Sequence, residues 1–393
     1  MSRNAASSTP THPAFALAED DHAIADMARE FSAQQIAPHA LDWDERKHFP
    51  VDVLREAAGL GMAGLYVSEG RGGSGLSRLQ AVLVFEALAQ GCPTVSAFLS
   101  IHNMVAGMVE RFGDAEQQSR FLPGLVLMDK IGAYCLTEPG SGSDAAALST
   151  RAVREGDHYI VTGVKQFISG AGAADVYAIM VRTGEAGPKG ISCLLVEAGT
   201  PGLSFGANEK KMGWNAQPTR QVILEGARVP VSNRLGAEGQ GFSIAMAGLD
   251  GGRLNIAACS LGGAQAAFEK ARAYLGERTA FGKKLQEFQA LQFRLADMAT
   301  MLEAARTLLY AAASAYDRGD ADTTTRVAMA KRFVTDTGSQ VANDALQLLG
   351  GYGYLAEYGI EKIVRDLRVH QILEGTNEIM RIITARHLLA HNG

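Results

Sequence analysis

The sequence predicts a multidomain α+β protein in which a small β domain lies between two helical domains. Near Lys130 the pattern changes from helical periodicity to short runs rich in β-branched residues, and after Pro230 long helical patterns return. A chain of 393 residues, 47% of them hydrophobic, is also too long for one ordinary domain. We therefore place the domain limits at 1–128, 129–235 and 236–393.

Helical patterns with short breaks account for the N-terminal domain. The first begins at Asp20, carries Ile24, Met27 and Phe31 on one face, and ends at Pro38, because proline cannot continue a helix. Glycine-rich breaks separate the helices that follow. These are predicted over residues 51–61, 79–90 and 95–112.

Short strands account for the middle domain. Turn signals such as Gly184, Gly187-Pro188 and Pro201-Gly202 separate runs of β-branched and aromatic residues. The runs predict strands over residues 159–162, 176–182, 191–196 and 221–224.

Long helices with short connections account for the C-terminal domain. Such a series is typical of an antiparallel bundle. The helices are predicted over residues 242–278, 288–317 and 322–349, with two more on either side of Glu374, one ending near Leu367 and one over 378–386.

Charge and composition exclude several classes of function. A net charge of -5 and a pI near 6.0 provide no basic surface for nucleic acid. No apolar run is long enough to span a membrane, and four scattered cysteines predict neither a disulfide framework nor a metal site. The opening segment 1–17 lacks the marks of a signal or transit peptide, so we interpret it as a loose tail. We expect a cytoplasmic protein in a bacterium, or a mitochondrial matrix protein in a eukaryote.

Glu374 is the candidate general base. It follows the apolar residues Ile372 and Leu373 and precedes Gly375, at a break between two helical patterns. A carboxyl group in a water-poor site has a raised pKa, which suits a general base at neutral pH. Considered alone, such a position favours an ordinary loop or helix-end glutamate, and it is the rest of the chain that favours the base.

Two segments of the β domain are candidate binding loops. Residues 134–144, YCLTEPGSGSD, combine glycines with hydroxyl groups, as loops that hold a phosphate or a flavin rim do. The loop matches neither a dinucleotide-binding fingerprint nor a P-loop, and it could be an ordinary turn. Residues 164–170, VKQFISG, place an aromatic and a hydroxyl group at a strand end.

Three glycine-containing segments of the bundle are further candidates. Residues 249–253, LDGGR, put paired glycines inside a predicted continuous helix, at a cost of about 1 kcal/mol each relative to alanine, so we expect close approach of a backbone or ligand. Residues 278–282, RTAFG, and 347–354, QLLGGYGY, offer a cation and glycine amides for a pyrophosphate. Arg278 could equally cap a helix.

Together these segments, in this order and over nearly the whole chain, resemble the acyl-CoA dehydrogenase family. The likeness is strongest to its branch for isobutyryl-CoA. The resemblance implies a central β-barrel, a C-terminal four-helix bundle, FAD between the two, and assembly as a homotetramer.

The resemblance also implies the site residues. Within one subunit, FAD would contact Tyr134, Leu136, Thr137, Ser143, Phe167, Ile168 and Ser169, with Thr376, Asn377 and Glu378 closing over it. From a neighbouring subunit it would contact Arg278, Phe281, Phe288, Gln289, Gln347, Leu348, Gly350 and Gly351. The acyl-CoA would contact Ser143, Asp250, Gly251, Gly252, Arg253, Gly375 and Arg386.

The implied reaction is α,β-dehydrogenation of a short branched-chain acyl-CoA in valine breakdown. Isobutyryl-CoA is the first candidate substrate, and 2-methylbutyryl-CoA or butyryl-CoA the next. Glu374 would remove the α-proton while a hydride passes to flavin N5, and electron-transfer flavoprotein would then accept the electrons. Two alternatives keep the fold: a flavin oxidase that passes electrons to oxygen, and a non-catalytic binding relative.

Three positions depart from the pattern of many family members. Phe167 stands where many have tryptophan, so we expect flavin packing and the electron exit route to differ in detail. Ala280 shortens a position that often carries a longer side chain. Gly252 stands where some branches carry the catalytic base, which leaves Glu374 as the candidate.

Overall fold

The computed structural model describes residues 17–390 and has the predicted fold class, with a β domain between two helical domains. The predicted N-terminal tail lies almost wholly outside the described residues. The N-terminal helices are α1 (Glu19–Phe31), α2 (Ala40–Arg46), α3 (Val51–Gly59), α4 (Arg78–Gly91), α5 (Pro93–Phe112) and α6 (Ala115–Val126).

Most N-terminal helices lie where the sequence predicts them, but α2 and α6 were not predicted. Helix α2 has seven residues, too few to show a period of 3.6. Helix α6 contains Pro123, yet Asp114 caps its start by accepting a hydrogen bond from the backbone of Gln117. Helix α1 passes into a π turn, Ser32–Ile36, before Pro38.

The middle domain contains one eight-stranded sheet in the order β6-β7-β3-β2-β4-β5-β8, with β1 parallel to β4. Strands β3 and β7 extend well beyond the predicted runs, because their polar residues alternate with buried ones and interrupt the apolar pattern. The strands are β1 (Gly132–Cys135), β2 (Arg151–Glu155), β3 (His158–Ser169), β4 (Val176–Arg182), β5 (Ile191–Glu197), β6 (Leu203–Phe205), β7 (Thr219–Pro230) and β8 (Arg234–Leu235).

The C-terminal domain is a group of long helices in which α7, α8, α10 and α11 all pack against α9. A short hairpin, β9 (Thr279–Ala280) and β10 (Lys283–Lys284), joins the first two helices. The helices are α7 (Gly241–Glu277), α8 (Gln289–Arg318), α9 (Thr323–Leu349), α10 (Ile360–Arg368) and α11 (Asn377–Ala390). Within residues 17–390, no helix is long and apolar enough to cross a membrane.

Helix α7 runs unbroken through its paired glycines, as predicted, and its middle is buried on every side. Small residues make this possible. A Cβ atom added at Gly262 would lie 2.1 Å from the carbonyl oxygen of Glu86 on α4, and one at Gly338 of α9 would lie 2.5 Å from Ser260 Oγ. The glycines therefore allow α4 and α9 to approach α7 closely.

The buried carboxylate of Asp366 joins all three parts of the chain. It accepts hydrogen bonds from Lys362 Nζ at 2.6 Å, from Thr94 Oγ1 of α5 at 2.9 Å, and from the backbone N–H of Trp214 in the β domain at 2.7 Å. Burial disfavours a charge, so this carboxylate is tolerated because its partners satisfy it. We call Asp366, Lys362, Thr94 and Trp214 the Asp366 junction.

Substituting Asp366→Asn should strongly destabilise the protein. The change leaves the buried Lys362 ammonium without a counter-charge, and breaking such a pair costs about 3–5 kcal/mol. Urea denaturation, followed by circular dichroism, measures the loss of unfolding free energy. Asp297→Asn, at an exposed position of α8, serves as the control and should have little effect. A loss as small as that of the control would contradict the role of the junction.

Candidate active site

Glu374 lies in the turn between the 3-10 segment Val369–Gln371 and helix α11, at the predicted break. Its φ angle is 54°, and that of Gly375 is 90°. The left-handed conformation costs a residue with a side chain about 1–2 kcal/mol, so the turn persists only where its surroundings hold it.

Two buried cations hold this turn from opposite helices. Arg253 of α7 donates a hydrogen bond from Nε to the carbonyl oxygen of Glu374 at 3.1 Å. Lys331 of α9 donates from Nζ to the carbonyl oxygen of Gly375 at 2.8 Å and to Asn377 Oδ1 at 2.9 Å. Consecutive carbonyl groups are thus fixed by separate helices, which sets the direction of the Glu374 side chain.

The carboxylate itself packs against a glycine. Glu374 Oε2 is buried and accepts no hydrogen bond within the described part of the chain. A Cβ atom added at Gly252 would lie 2.4 Å from this oxygen. The close approach that the paired glycines predict is therefore, at Gly252, an approach by the carboxylate of Glu374.

The electrostatic surroundings make Glu374 a base suited to neutral pH. Burial raises the pKa of its carboxyl group to about 7, although Arg253, Lys331 and Arg78 act in the opposite direction. Near pH 7, half of the molecules would carry an ionised carboxylate here. An unpartnered carboxylate oxygen with this pKa can accept a proton from a bound ligand.

The structure brings the two candidate binding loops of the β domain together. Gln166 donates a backbone hydrogen bond to the carbonyl oxygen of Thr137 at 2.8 Å, and Lys165 Nζ donates to that of Leu136 at 3.1 Å. Phe167, with a φ angle of 59°, exposes 64% of its surface beside the buried Ile168. Tyr134 and Ser169 are partly buried in these loops, whereas Ser143 is exposed.

Sequence reasoning missed the buried ion pair that fixes this arrangement. Glu138 accepts hydrogen bonds from Lys165 Nζ at 2.8 Å and from the backbone N–H groups of Ser149 and Thr150 at 2.6 and 2.9 Å. Burial favours the neutral acid, but the Lys165 ammonium and these donors bring the pKa of Glu138 down to about 2. A lysine within the apolar strand pattern was the available signal.

Two of the three glycine-containing segments of the bundle, 278–282 and 347–354, also meet, on an open surface. The Arg278 guanidinium lies 5.4 Å from the ring centre of Tyr352, which joins residues 278–282 to residues 347–354. Phe281 is 95% exposed and contacts Phe288 edge-on. Gln289, Gln347, Gly350 and Gly351 are exposed, whereas Leu348 is buried.

Arg278 fits both interpretations of its position in the sequence, a helix cap and a ligand-binding cation. It stands at the C-terminal cap of α7, where its backbone N–H donates to the carbonyl oxygen of Tyr274 at 2.9 Å. Its side chain is exposed and remains available for a ligand.

The predicted acyl-CoA residues divide into two groups. Gly252 contacts the Glu374 carboxylate, Arg253 donates to the carbonyl oxygen of Glu374, and Gly375 is the next residue of the same turn. Gly251 instead adjoins the guanidinium of Arg78, and Asp250 pairs with Arg253 at 2.6 Å. Ser143 and Arg386 are exposed on separate elements. At the start of α11, Thr376 Oγ1 accepts from the backbone of Ile379, Asn377 is buried and Glu378 is exposed.

Lys331 is a further residue that sequence reasoning missed. It is fully buried, and burial lowers the pKa of its ammonium group to about 8 even though Glu374 favours the charged form. Lys331 lies four residues after the buried Val327 and three before the buried Val334, so it belongs to the apolar face of α9. A charged residue on such a face was the available signal, because lysine is seldom fully buried without a partner.

Three family models match successive parts of the chain. They describe the N-terminal domain of acyl-CoA dehydrogenase at residues 18–129, the middle domain at 133–227 and the C-terminal domain at 239–389. Together they cover most of the chain.

Individual proteins are similar along nearly the full length. The mitochondrial isobutyryl-CoA dehydrogenases of Dictyostelium discoideum and Bos taurus are 55% and 54% identical, over 96% of this chain and 91% of each relative. The structure of butyryl-CoA dehydrogenase from Megasphaera elsdenii has a TM-score of 0.93 at 38% identity, covering 95% of this chain and 99% of that one. A structure of PigA with FAD and proline has a TM-score of 0.93 at 31% identity, covering 96% and 100%. The chain therefore belongs to the acyl-CoA dehydrogenase family.

Proposed function

We propose that the protein is an FAD-dependent dehydrogenase that converts isobutyryl-CoA to methacrylyl-CoA in valine breakdown. The observation that carries the chemistry is the Glu374 carboxylate, whose Oε2 is buried and unpartnered and whose pKa is raised to about 7. The substrate rests on the two isobutyryl-CoA dehydrogenases that resemble the chain at 54–55% identity. Other short acyl-CoA thioesters are the next candidates.

The chain's own residues fit a flavin. The joined loops offer the exposed Phe167 and the hydroxyl groups of Thr137, Ser143 and Ser169, a donor set suited to a ring with a polar rim. FAD held there would supply a two-electron acceptor for the β-hydrogen of the acyl group.

Glu374 would remove the α-proton of the thioester. This proton is weakly acidic, so the developing enolate charge needs donors aimed at the thioester oxygen. The backbone N–H of Glu374 donates no hydrogen bond to the described part of the chain and can serve as one donor. Arg253 and Lys331 hold the turn rigid, so the carboxylate and this N–H keep one relative position.

The open surface around Arg278 supports a cofactor site shared between subunits. Phe281 is almost fully exposed, and Cβ atoms at Gly350 and Gly351 would meet nothing within 4 Å. In a homotetramer these residues would contact the FAD of a neighbour, with Arg278 on its pyrophosphate. Electron-transfer flavoprotein is the proposed electron acceptor.

Anaerobic bleaching of the flavin absorbance tests the function. We expect isobutyryl-CoA to bleach the purified protein fastest within a panel that includes 2-methylbutyryl-, butyryl-, isovaleryl- and octanoyl-CoA. Faster bleaching by another thioester would identify that thioester as the substrate and leave the reaction type unchanged. Rapid peroxide formation in air would indicate an oxidase. A protein that binds no flavin would contradict the proposal.

The matched variant is Glu374→Gln, which should still bind flavin. Its rate of flavin bleaching should fall by about a thousandfold or more, because the amide cannot accept the α-proton. Glu357→Gln, at an exposed position of the same domain, should bleach like the unmodified protein.

The rate of bleaching should rise with pH through about 7. The base acts only when ionised, so at pH 6 about one tenth of the molecules would carry active Glu374, given its pKa of about 7. Stopped-flow measurement between pH 5.5 and 9 gives the profile. A rate that is already constant at pH 5.5 would show that the pKa of the base is not raised.

Arg278→Ala should lower FAD occupancy or weaken assembly, because it removes the cation from the proposed shared site. The ratio of flavin to protein absorbance, with sedimentation of the same sample, measures both. Arg272→Ala is the control, since this exposed residue of α7 pairs only with Glu269 among the described residues. Unchanged occupancy and assembly in Arg278→Ala would contradict the cross-subunit contact.

A further inference from the structure

One carboxylate of α9 holds both ends of the segment that carries Glu374. Asp336 Oδ1 accepts a hydrogen bond from Gln371 Nε2 at 2.7 Å and another from Asn377 Nδ2 at 2.7 Å. Gln371 ends the 3-10 segment three residues before Glu374, and Asn377 begins α11 three residues after it. The two bonds therefore fix the chain on either side of the base at one point of α9.

Asn377 connects this carboxylate to the lysine that holds the turn. Its side chain is buried, and its Oδ1 accepts from Lys331 Nζ at 2.9 Å. Its Nδ2 donates to Asp336 and, at 3.0 Å, to Thr335 Oγ1. All three partners belong to α9, so this helix sets where α11 begins.

The turn between the two anchors is strained. Glu374 has a φ angle of 54°, a left-handed conformation that persists only where its surroundings hold it. Among residues 17–390, no hydrogen bond restrains its Oε2, and Ile372 in the same turn is 51% exposed. Contacts at the ends of the segment and at its carbonyl groups therefore keep the carboxylate in place.

The second oxygen of Asp336 contributes little to this arrangement. Oδ2 lies 3.4 Å from Arg332 Nε and 3.5 Å from Arg381 Nη2, and these arginine side chains are 43% and 50% exposed. Long, exposed ion pairs of this kind contribute little stability. What Asp336 supplies is an acceptor oxygen for two donors, and an asparagine at this position retains such an oxygen.

The effect of Asp336 on the base passes through the chain and not through its charge. Burial raises the pKa of Glu374 to about 7, and three cations oppose this rise. The charged and titratable groups that face the Glu374 carboxyl group come from α4, α7, α9 and β1: they are Arg78, Arg253, Cys259, Lys331 and Tyr134. Asp336 instead contacts the two ends of the segment.

We propose that Asp336 is a positioning residue that holds Gln371 and Asn377 so that the Glu374 carboxylate stays buried against Gly252. The inference rests on the proposed dehydrogenation and adds no chemical step, because Glu374 still takes the α-proton. Without the acceptor oxygen, both ends lose this anchor, the left-handed turn relaxes and water reaches the carboxylate. The base is then misplaced, and its pKa moves towards the lower, ordinary value of a glutamate.

Hydrogen–deuterium exchange with mass spectrometry measures the turn directly, without turnover. In Asp336→Ala, the backbone amides of residues 371–377 should exchange about tenfold faster or more than in the unmodified protein, because two hydrogen bonds to a carboxylate are lost. Exchange in the middle of α7, which is buried on every side, should not change.

The pH profile of flavin bleaching by isobutyryl-CoA measures the effect on the base. In Asp336→Ala, the midpoint should fall by about one pH unit or more, because the Glu374 carboxyl group becomes hydrated. The rate at the alkaline plateau should fall about tenfold to a hundredfold, since misplacement by about 1 Å can cost about a hundredfold. Mere loss of folded protein would lower the amplitude of bleaching and leave the midpoint in place.

Asp336→Asn separates geometry from charge. Its amide oxygen accepts the same two hydrogen bonds, so amide exchange and the pH profile should remain close to those of the unmodified protein. Asp322→Ala is the matched control, because it removes an aspartate at the start of the same helix whose partner is Arg326 and not the turn. The proposal is overturned if Asp336→Ala behaves like this control, or if Asp336→Asn behaves like Asp336→Ala.

If the Asp336→Ala protein fails to fold, Gln371→Ala provides the same test at one anchor. It removes a single hydrogen bond at a partly buried residue, so exchange and midpoint should shift in the same direction by a smaller amount. No shift in either would overturn the proposal.

Bleaching of the unmodified protein distinguishes failure of this inference from failure of the proposed function. If isobutyryl-CoA bleaches it while the Asp336 variants change neither exchange nor profile, the positioning role is wrong and the dehydrogenase proposal stands. If no thioester bleaches it, the dehydrogenase proposal is overturned, and with it the role of Asp336 in positioning a base, even where exchange shows that Asp336 holds the turn.

Discussion

The Asp366 junction is the interaction on which the rest of the structure depends. One buried carboxylate binds a helix of the N-terminal domain, the backbone of the β domain and a lysine of its own helix. A buried charge is tolerated only when all its partners are in place, so the three domains must be correctly docked for the junction to form. Glu374 follows Asp366 by eight residues, and Trp214 also donates to His370 between them at 3.3 Å. The contacts that dock the domains and the position of Glu374 are therefore linked through one short segment of the chain.

The turn that carries Glu374 balances opposing electrostatic effects. Burial against Gly252 disfavours the Glu374 carboxylate, whereas Arg253 and Lys331 favour it, and the outcome is a pKa of about 7. Both cations also donate to backbone carbonyl groups of the turn, which offsets the cost of a left-handed residue there. The same side chains thus fix the position of the turn and lower the pKa of its carboxyl group.

The motifs of the sequence meet in pairs in the structure. Residues 134–144 join 164–170 through the Glu138–Lys165 ion pair, and residues 278–282 join 347–354 through Arg278 and Tyr352. The first pair stands beside the β domain's buried core, and the second is on an open surface of the bundle.

The sequence alone determined the fold class, the long helices and the position of Glu374 at a break, because periodicity and glycine placement are local properties. It also located the paired glycines of α7, whose helical cost pointed to a close approach. Only the tertiary structure decided that the approaching group at Gly252 is Glu374, that Lys331 holds Gly375 from 44 residues away, and that Arg78 lies between Tyr66 and Tyr316. Such contacts join residues far apart in the chain, and no local pattern records which buried side chains will face one another.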